Sequence, residues 1–203
     1  MLRLYHREYA GRPIRAVWTL EEIGEPYELE VMNWEQGQSE EHRARHPLLR
    51  VPVLEEDDGC VFESAAICLQ LADLFPDAGL GAPLGSHDRA LLYQWSIFAP
   101  AELEQWLIEA AVHKDKDPER AAAARERFWK HADALSGTLR DSEFLVGGRF
   151  TVADVLVGTA LGNTRRVGFH EEMPDYLAAY LGRLTDRPAF QRAHERTAVP
   201  APS

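Results

Sequence analysis

Strand-like and helix-like patterns alternate through the first 75 residues, and nothing beyond residue 87 reads as strand. That asymmetry restricts the chain to an α/β unit followed by an all-helical one. Residues 2–6 alternate with period two, as a half-buried strand does. Residues 13–23 read as a helix, with Pro13 in its first turn and Gly24 as its stop. A second strand is expected over 27–32 and a short helix over 39–45, ending at His46-Pro47. Segments 53–55 and 60–62 flank Glu56-Asp57-Asp58-Gly59, a hairpin signal of the Asp-Gly kind. Residues 64–74 then place Ile67, Leu71 and Leu74 on one helical face. A right-handed first crossover makes the first two strands parallel.

After Phe75-Pro76 the chain carries Gly79, Gly81, Pro83 and Gly85, which read as a linker running over the surface. The expected organisation is an α/β domain over 1–76, a linker over 77–87 and a helical domain over 88–203. Long patterns rich in Ala, Leu and Glu cover 87–112 and 119–139. A third helix runs from 152 to about 165, and shorter ones lie near 176–184 and 189–194.

Charge and composition remove several function classes. The net charge is −11 and the basic residues are dispersed, whereas a phosphate-tracking surface needs them clustered, so no nucleic-acid partner is expected. No apolar run approaches the length of a membrane span. The N-terminus enters a strand pattern directly, without a signal-peptide apolar region, so a soluble cytoplasmic protein is expected. Cys60 and Cys68 sit among apolar residues and read as buried, inert thiols rather than a disulfide. His42 and His46 have the i,i+4 spacing of a metal pair, but no third ligand is evident and Pro47 follows at once. They read as part of a solvated face, and no metal is expected.

The residues that carry chemistry are Arg50-Val51-Pro52-Val53-Leu54 and Glu63-Ser64. Pro52 interrupts a strand-like segment, so the backbone before it cannot join a ladder normally. The N–H and C=O of Val51 are then free to pair with an extended, peptide-like ligand. Glu63 and Ser64 supply a carboxylate, a hydroxyl and free N–H groups at a helix start. The helix start favours a negative ligand group, and the carboxylate holds an ammonium. Together they describe a receptor for a small zwitterionic peptide. Glu21-Glu22, Glu40-Glu41 and Glu171-Glu172 are consecutive, face different ways on a helix and form no acid/base pair.

Three further stretches connect these motifs to a known family. Trp18-Thr19-Leu20-Glu21-Glu22-Ile23-Gly24 closes the first helix. Phe150-Thr151-Val152-Ala153-Asp154-Val155 has the form of a capping box, with Phe150 and Val155 at the staple positions. The run that follows is apolar on several sides, as a central buried helix requires. With Val51-Pro52 and Glu63-Ser64 in place, the chain resembles the cytosolic glutathione transferase family over nearly its whole length. The resemblance implies a thioredoxin-like N-terminal domain followed by an all-α helical bundle. It implies that the bond into Pro52 is cis, and that Arg50, Val51, Pro52, Glu63 and Ser64 bind glutathione. Arg45 or Gln38, past the second strand, are candidates for its glycine carboxylate. A homodimer acting on a small hydrophobic electrophile is implied as well.

Such chemistry needs the glutathione thiol ionised near neutral pH, although a free thiol titrates near 8.5. The family supplies a hydroxyl or cationic donor near the end of the first strand or the start of the first helix. No Ser or Cys occurs between that strand and helix here, which disfavours the serine and cysteine types. Three candidates remain: Arg12, Tyr9 and His6. Arg12 would add its charge to the positive helix end, Tyr9 would offer a phenol, and His6 occupies the tyrosine's place in tyrosine-type members. A lone His ending a strand also reads as a packed residue. In the second domain Trp95, Phe98, Glu102 and Trp106 recur at helical spacing. This stripe reads as core or interface, yet the corresponding helix lines the electrophile site in similar proteins. The fold also occurs as a noncatalytic binding module, and a glutathione-dependent isomerase or dehalogenase would share every binding feature.

Overall fold

The computed structural model describes residues 1–7 and 11–197. These form two compact units: Met1–Ala78 together with the last helix, and Gly79–Asp186.

In the first unit the order is β1 (Arg3–Arg7), α1 (Pro13–Ile23), β2 (Glu28–Met32), α2 (Trp34–Gly37), α3 (Glu40–Arg45), β3 (Val53–Glu56), β4 (Gly59–Phe62) and α4 (Ser64–Leu74). The sheet runs β2-β1-β3-β4, with β1 parallel to β2 and the other two pairs antiparallel. Helix α1 has its proline at the N-terminus and Gly24 at φ 81° as its C-cap, where a side chain would be strained. Helix α2 was not expected. Asn33 caps it by accepting from the Gln36 N–H at 2.9 Å, and the Gln36 side chain accepts from the Asn33 N–H at 2.9 Å, a reciprocal box written in the sequence as Asn-Trp-Glu-Gln.

Leu4, Ala16, Val17, Leu20, Leu54, Ile67, Cys68 and Leu71 are fully buried. A second cluster of Tyr5, Met32 and Val53, with Val51 packed on it, uses the alternate residues of the strands. Three expectations fail here. Leu74 ends α4 exposed. Cys60 is exposed, because β4 is an edge strand. His42 and His46 are buried rather than solvated, because α3 turns that side inward and both rings have backbone partners.

The second unit is helical: α5 (His87–Phe98), a π-helical stretch Ala99–Leu103, α6 (Glu104–His113), α7 (Pro118–Ala132), α8 (Ser136–Leu139), α9 (Val152–Gly162), α10 (Thr164–Val167) and α11 (Asp175–Thr185). The single helix expected over 87–112 is therefore divided. Pro100 lacks an N–H and its ring crowds the preceding turn, and the chain widens into a π turn around it. Ten consecutive residues of α9, from Val152 to Leu161, are buried, as a central helix requires. Asp154 fixes its start: one carboxylate oxygen accepts from the Thr151 N–H at 2.8 Å and hydroxyl at 3.1 Å. The other accepts from the Leu145 N–H at 3.0 Å and the Tyr180 hydroxyl at 2.8 Å. Residues 79–82 are not a loose surface linker. Leu80 and Ala82 are buried, the Leu80 carbonyl accepts from Val152 N–H at 3.1 Å, and the Arg149 guanidinium donates to the carbonyls of Gly79 and Gly81.

The last helix, α12 (Pro188–Thr197), belongs to the first unit and not to the helical one in which residues 88–203 were placed. Its Ala189 and Ala193 are buried, Phe190 meets Trp18 edge-on at 4.8 Å, and three arginines reach Glu21 and Glu22 of α1.

Candidate functional site

The site is built where β3 and β4 begin and end together. Val53 pairs with Phe62, so Pro52 and Glu63 step off the ladder at the same end. The Val51–Pro52 bond is cis. Val51 is half-buried on the Tyr5–Met32–Val53 cluster, and among the described residues its N–H and C=O make no backbone hydrogen bond. Arg50 is exposed, but its carbonyl is held: His42 Nε2 donates to it across 2.9 Å. His46 Nδ1 accepts from the Leu48 N–H at 3.1 Å, and the ring lies 4.6 Å from that of Phe62. The two imidazoles thus brace the segment that presents Arg50 and Val51. Burial holds both below the ordinary histidine range, which keeps them neutral at pH 7.

Glu63 caps the entry to α4 with φ at 71°, a backbone state few side chains adopt, and its carboxylate is exposed. Ser64 opens α4 and is buried, and Arg15 Nη1 donates to its hydroxyl at 3.1 Å. That bond brings the first turns of α1 and α4 together, so two positive helix ends share one region. Arg15 is 1 % exposed. Burial pushes its guanidinium down to about 10, the charge of Arg12 adds to this, and Cys68 opposes it. It remains a cation at neutral pH. Beneath it, Thr19 donates to Cys68 Sγ at 3.3 Å, and burial pushes that thiol up to about 11.

Arg12 stands at the N-cap position of α1, half-buried, immediately before Pro13. Tyr9 lies outside the described residues. His6 is 2 % exposed near the end of β1; burial pushes its ring below the ordinary histidine range, and the neighbouring Thr197 backbone of α12 opposes this. Of the two candidates for a ligand carboxylate, Arg45 stacks on Tyr5, 4.3 Å from the ring centre, and pairs with Glu41 at 2.5 Å. It lines an open cavity of about 360 Å³ with Tyr5, Glu30 and Gln36. Gln38 donates to the Gly37 carbonyl at 3.2 Å. Arg15, His42 and His46 were missed as site residues. The one available signal was an arginine on the otherwise apolar face of the first helix.

In the helical unit the aromatic stripe divides at the π turn. Trp95 is buried and meets Phe98 edge-on at 5.3 Å. Glu102 pairs with His131 at 3.0 Å, Trp106 meets the His131 ring edge-on at 5.6 Å, and the Arg127 guanidinium lies 4.9 Å over the Trp106 ring. Among the described residues no group of three or more His, Cys, Asp or Glu side chains converges on a metal position.

The family model for the glutathione S-transferase N-terminal domain matches residues 1–73, and that for the C-terminal domain matches residues 118–196. The chain is 30% identical over 179 residues to glutathione S-transferase GstA of Escherichia coli O157:H7, covering 86% of this chain and 89% of that protein. It is also 30% identical over 184 residues to elongation factor 1-gamma of Prunus avium, covering 84% of this chain but 41% of that protein. Among solved structures, a sphingomonad glutathione S-transferase complexed with glutathione superposes with a TM-score of 0.86 at 28% identity. That match covers 98% of this chain and 100% of the other.

Proposed function

The chain belongs to the glutathione S-transferase family, and on that premise we propose how it works as a glutathione transferase. Glutathione lies along the Pro52–Ser64 edge of the first unit. The carboxylate of Glu63 holds the γ-glutamyl ammonium. The Ser64 hydroxyl and the free N–H groups opening α4 take the γ-glutamyl carboxylate. Arg15 orients the Ser64 hydroxyl from below. The N–H and C=O of Val51 pair with the cysteinyl unit as a short strand addition, and Arg50 adds positive charge beside it.

The thiol then faces the start of α1. There the charge of Arg12 and the positive helix end both favour thiolate over thiol, with Tyr9 as a hydrogen-bond donor and His6 the third candidate. The thiol proton passes to solvent, the sulfur forms a bond to an electrophilic carbon, and the displaced group leaves with its electron pair. The protein contributes position and charge stabilisation. Apolar electrophiles, a cytoplasmic detoxifying role and a homodimer complete the reading.

The observation that carries it is the pairing, within one unit, of a Val51 backbone that makes no backbone hydrogen bond among the described residues with Glu63 and a buried, arginine-held Ser64. The test is calorimetric titration with glutathione, followed by thiolate absorbance of the bound ligand against pH. Binding with a depressed thiol pKa is expected, and Arg12→Ala is expected to raise that pKa and slow conjugation. An unchanged pH–rate profile in this variant removes Arg12 from the mechanism. The likeness to elongation factor 1-gamma favours a second reading, a noncatalytic binding module. Glutathione binding without a pKa shift supports that carrier role, and no binding at all refutes the glutathione site.

A further inference from the structure

Helix α12 is fastened to α1 by more than packing. Arg187 donates to both oxygens of Glu22, at 2.6 and 2.8 Å. Arg192 donates to the Glu21 carboxylate and to its backbone carbonyl, each at 2.9 Å, and Arg196 reaches the same carboxylate at 3.0 Å. The Glu21 and Glu22 side chains are only 10% and 9% exposed. In a chain of net charge −11, three arginines gather on two adjacent, nearly buried carboxylates. Packing of Ala189, Phe190 and Ala193 would bury α12 without them, but apolar contact alone tolerates sliding. Bidentate guanidinium pairs do not, and they set register along α1.

At its far end α12 meets β1. Of the two nitrogens of His6, Nδ1 is buried with no hydrogen-bond partner among the described residues, and the Thr197 backbone is the polar neighbour that the ring feels. The neutral Nε2–H tautomer fits this arrangement, since protonation would leave a second N–H buried and unmatched. The side chain is therefore committed to α12. It lies six residues before Arg12, and α1, whose far end Glu21 and Glu22 occupy, begins right after Arg12.

We propose that α12 is a strap that fixes where the thiol-activating start of α1 sits, and that His6 is a positioning residue within this strap rather than a group acting on sulfur. The proposal rests on the glutathione transferase reading. It explains why two unrelated features, the Glu–Arg seam and the approach of His6 to Thr197, both run from α12 to the elements flanking the catalytic segment.

The experiment uses full-length His6→Ala, His6→Gln, Glu22→Gln and the His6→Ala/Glu22→Gln double variant. Readouts are kcat, KM for glutathione, and the thiol pKa of the bound ligand. His6→Ala and Glu22→Gln are each expected to lower kcat about tenfold, the cost of a small misplacement of reacting groups. Both are expected to raise the thiol pKa with KM for glutathione within about twofold of wild type. His6→Gln, whose amide restores the N–H donor, is expected to recover most of the loss. The double variant is expected to be no worse than the poorer single one, because both changes loosen the same strap. A defect in His6→Ala with wild-type behaviour in Glu22→Gln overturns the proposal and returns His6 to the sulfur. Wild-type behaviour in both removes the strap from catalysis. If His6→Ala fails to fold, Glu22→Gln and Arg192→Met decide by the same readouts. Failure of the wild-type chain itself to bind glutathione marks failure of the transferase reading instead, and the strap proposal falls with it.

Discussion

Glu63 holds a positive φ although it is not glycine, a state that costs on the order of 1–3 kcal/mol. The fold keeps it because that backbone turns the chain from β4 into α4 with a carboxylate at the corner. Glu63→Gly is therefore expected to raise the unfolding free energy by about 1 kcal/mol, relief of strain outweighing glycine's extra freedom in the unfolded chain. The same variant should bind glutathione at least about tenfold more weakly, having lost the ammonium partner. Urea denaturation and calorimetry check the two halves, and unchanged affinity would remove Glu63 from the site. Arg15→Met keeps the volume but not the donor to Ser64. It is expected to fold and to lose about tenfold in glutathione affinity, the worth of one charged hydrogen bond. The roles proposed for Glu63, Ser64 and Val51 were legible in the sequence because they follow from a local break at Pro52 and a local helix start. Arg15, His42 and His46 were not, since their partners are Ser64, the Arg50 carbonyl and the Phe62 ring. Which of these meet depends on how helices pack on the sheet.

At the level of elements, α1 and α4 run over the residues their sequence signals predict. Each boundary there is set by neighbouring residues: a proline at the start, a left-handed glycine at the end, a strand break before. The start of α9 is equally local in the Thr151–Asp154 box, yet Asp154 does more than cap. It satisfies four donors in a buried setting, and burial outweighs them, pushing its carboxyl above the usual range. Asp154→Ala would strand the Tyr180 hydroxyl and two N–H groups, so a loss of more than about 3 kcal/mol is expected. Thr151→Ala should cost about 1 kcal/mol. Thermal or urea unfolding of both variants checks the ratio, and equal losses would reduce Asp154 to an ordinary cap. The break at Pro100 was hidden for the opposite reason. Helical periodicity continues on both sides of it, and the π turn absorbs the proline without ending the stack.

Across the whole molecule, His6, His42 and His46 are buried in the first unit, and burial depresses each below the ordinary value of 6.5. The unfolded chain takes up protons at these positions below about pH 6.5, while the native state resists them. Stability is therefore full above that pH and falls as pH drops toward the depressed native values, by up to about 1.4 kcal/mol per pH unit for each histidine held neutral. Urea midpoints at pH 7.5 and 5.5 are expected to differ, the lower pH being less stable. Equal midpoints would show that the three rings titrate alike in both states.

By itself the sequence determined the order of the strands and of α1, α3, α4 and α9, the fold class, and the two motifs from which a glutathione site is proposed. Period, caps and turn residues act over a few positions, and a chain carries that information without knowing its partners. Only tertiary structure decided that the last helix returns to the α/β unit, that Arg15 lies beneath Ser64, and that His6 answers to Thr197. Those outcomes join residues from 49 to 191 positions apart, and an arginine, a glutamate or a histidine reads the same in sequence whether it faces water or a buried partner.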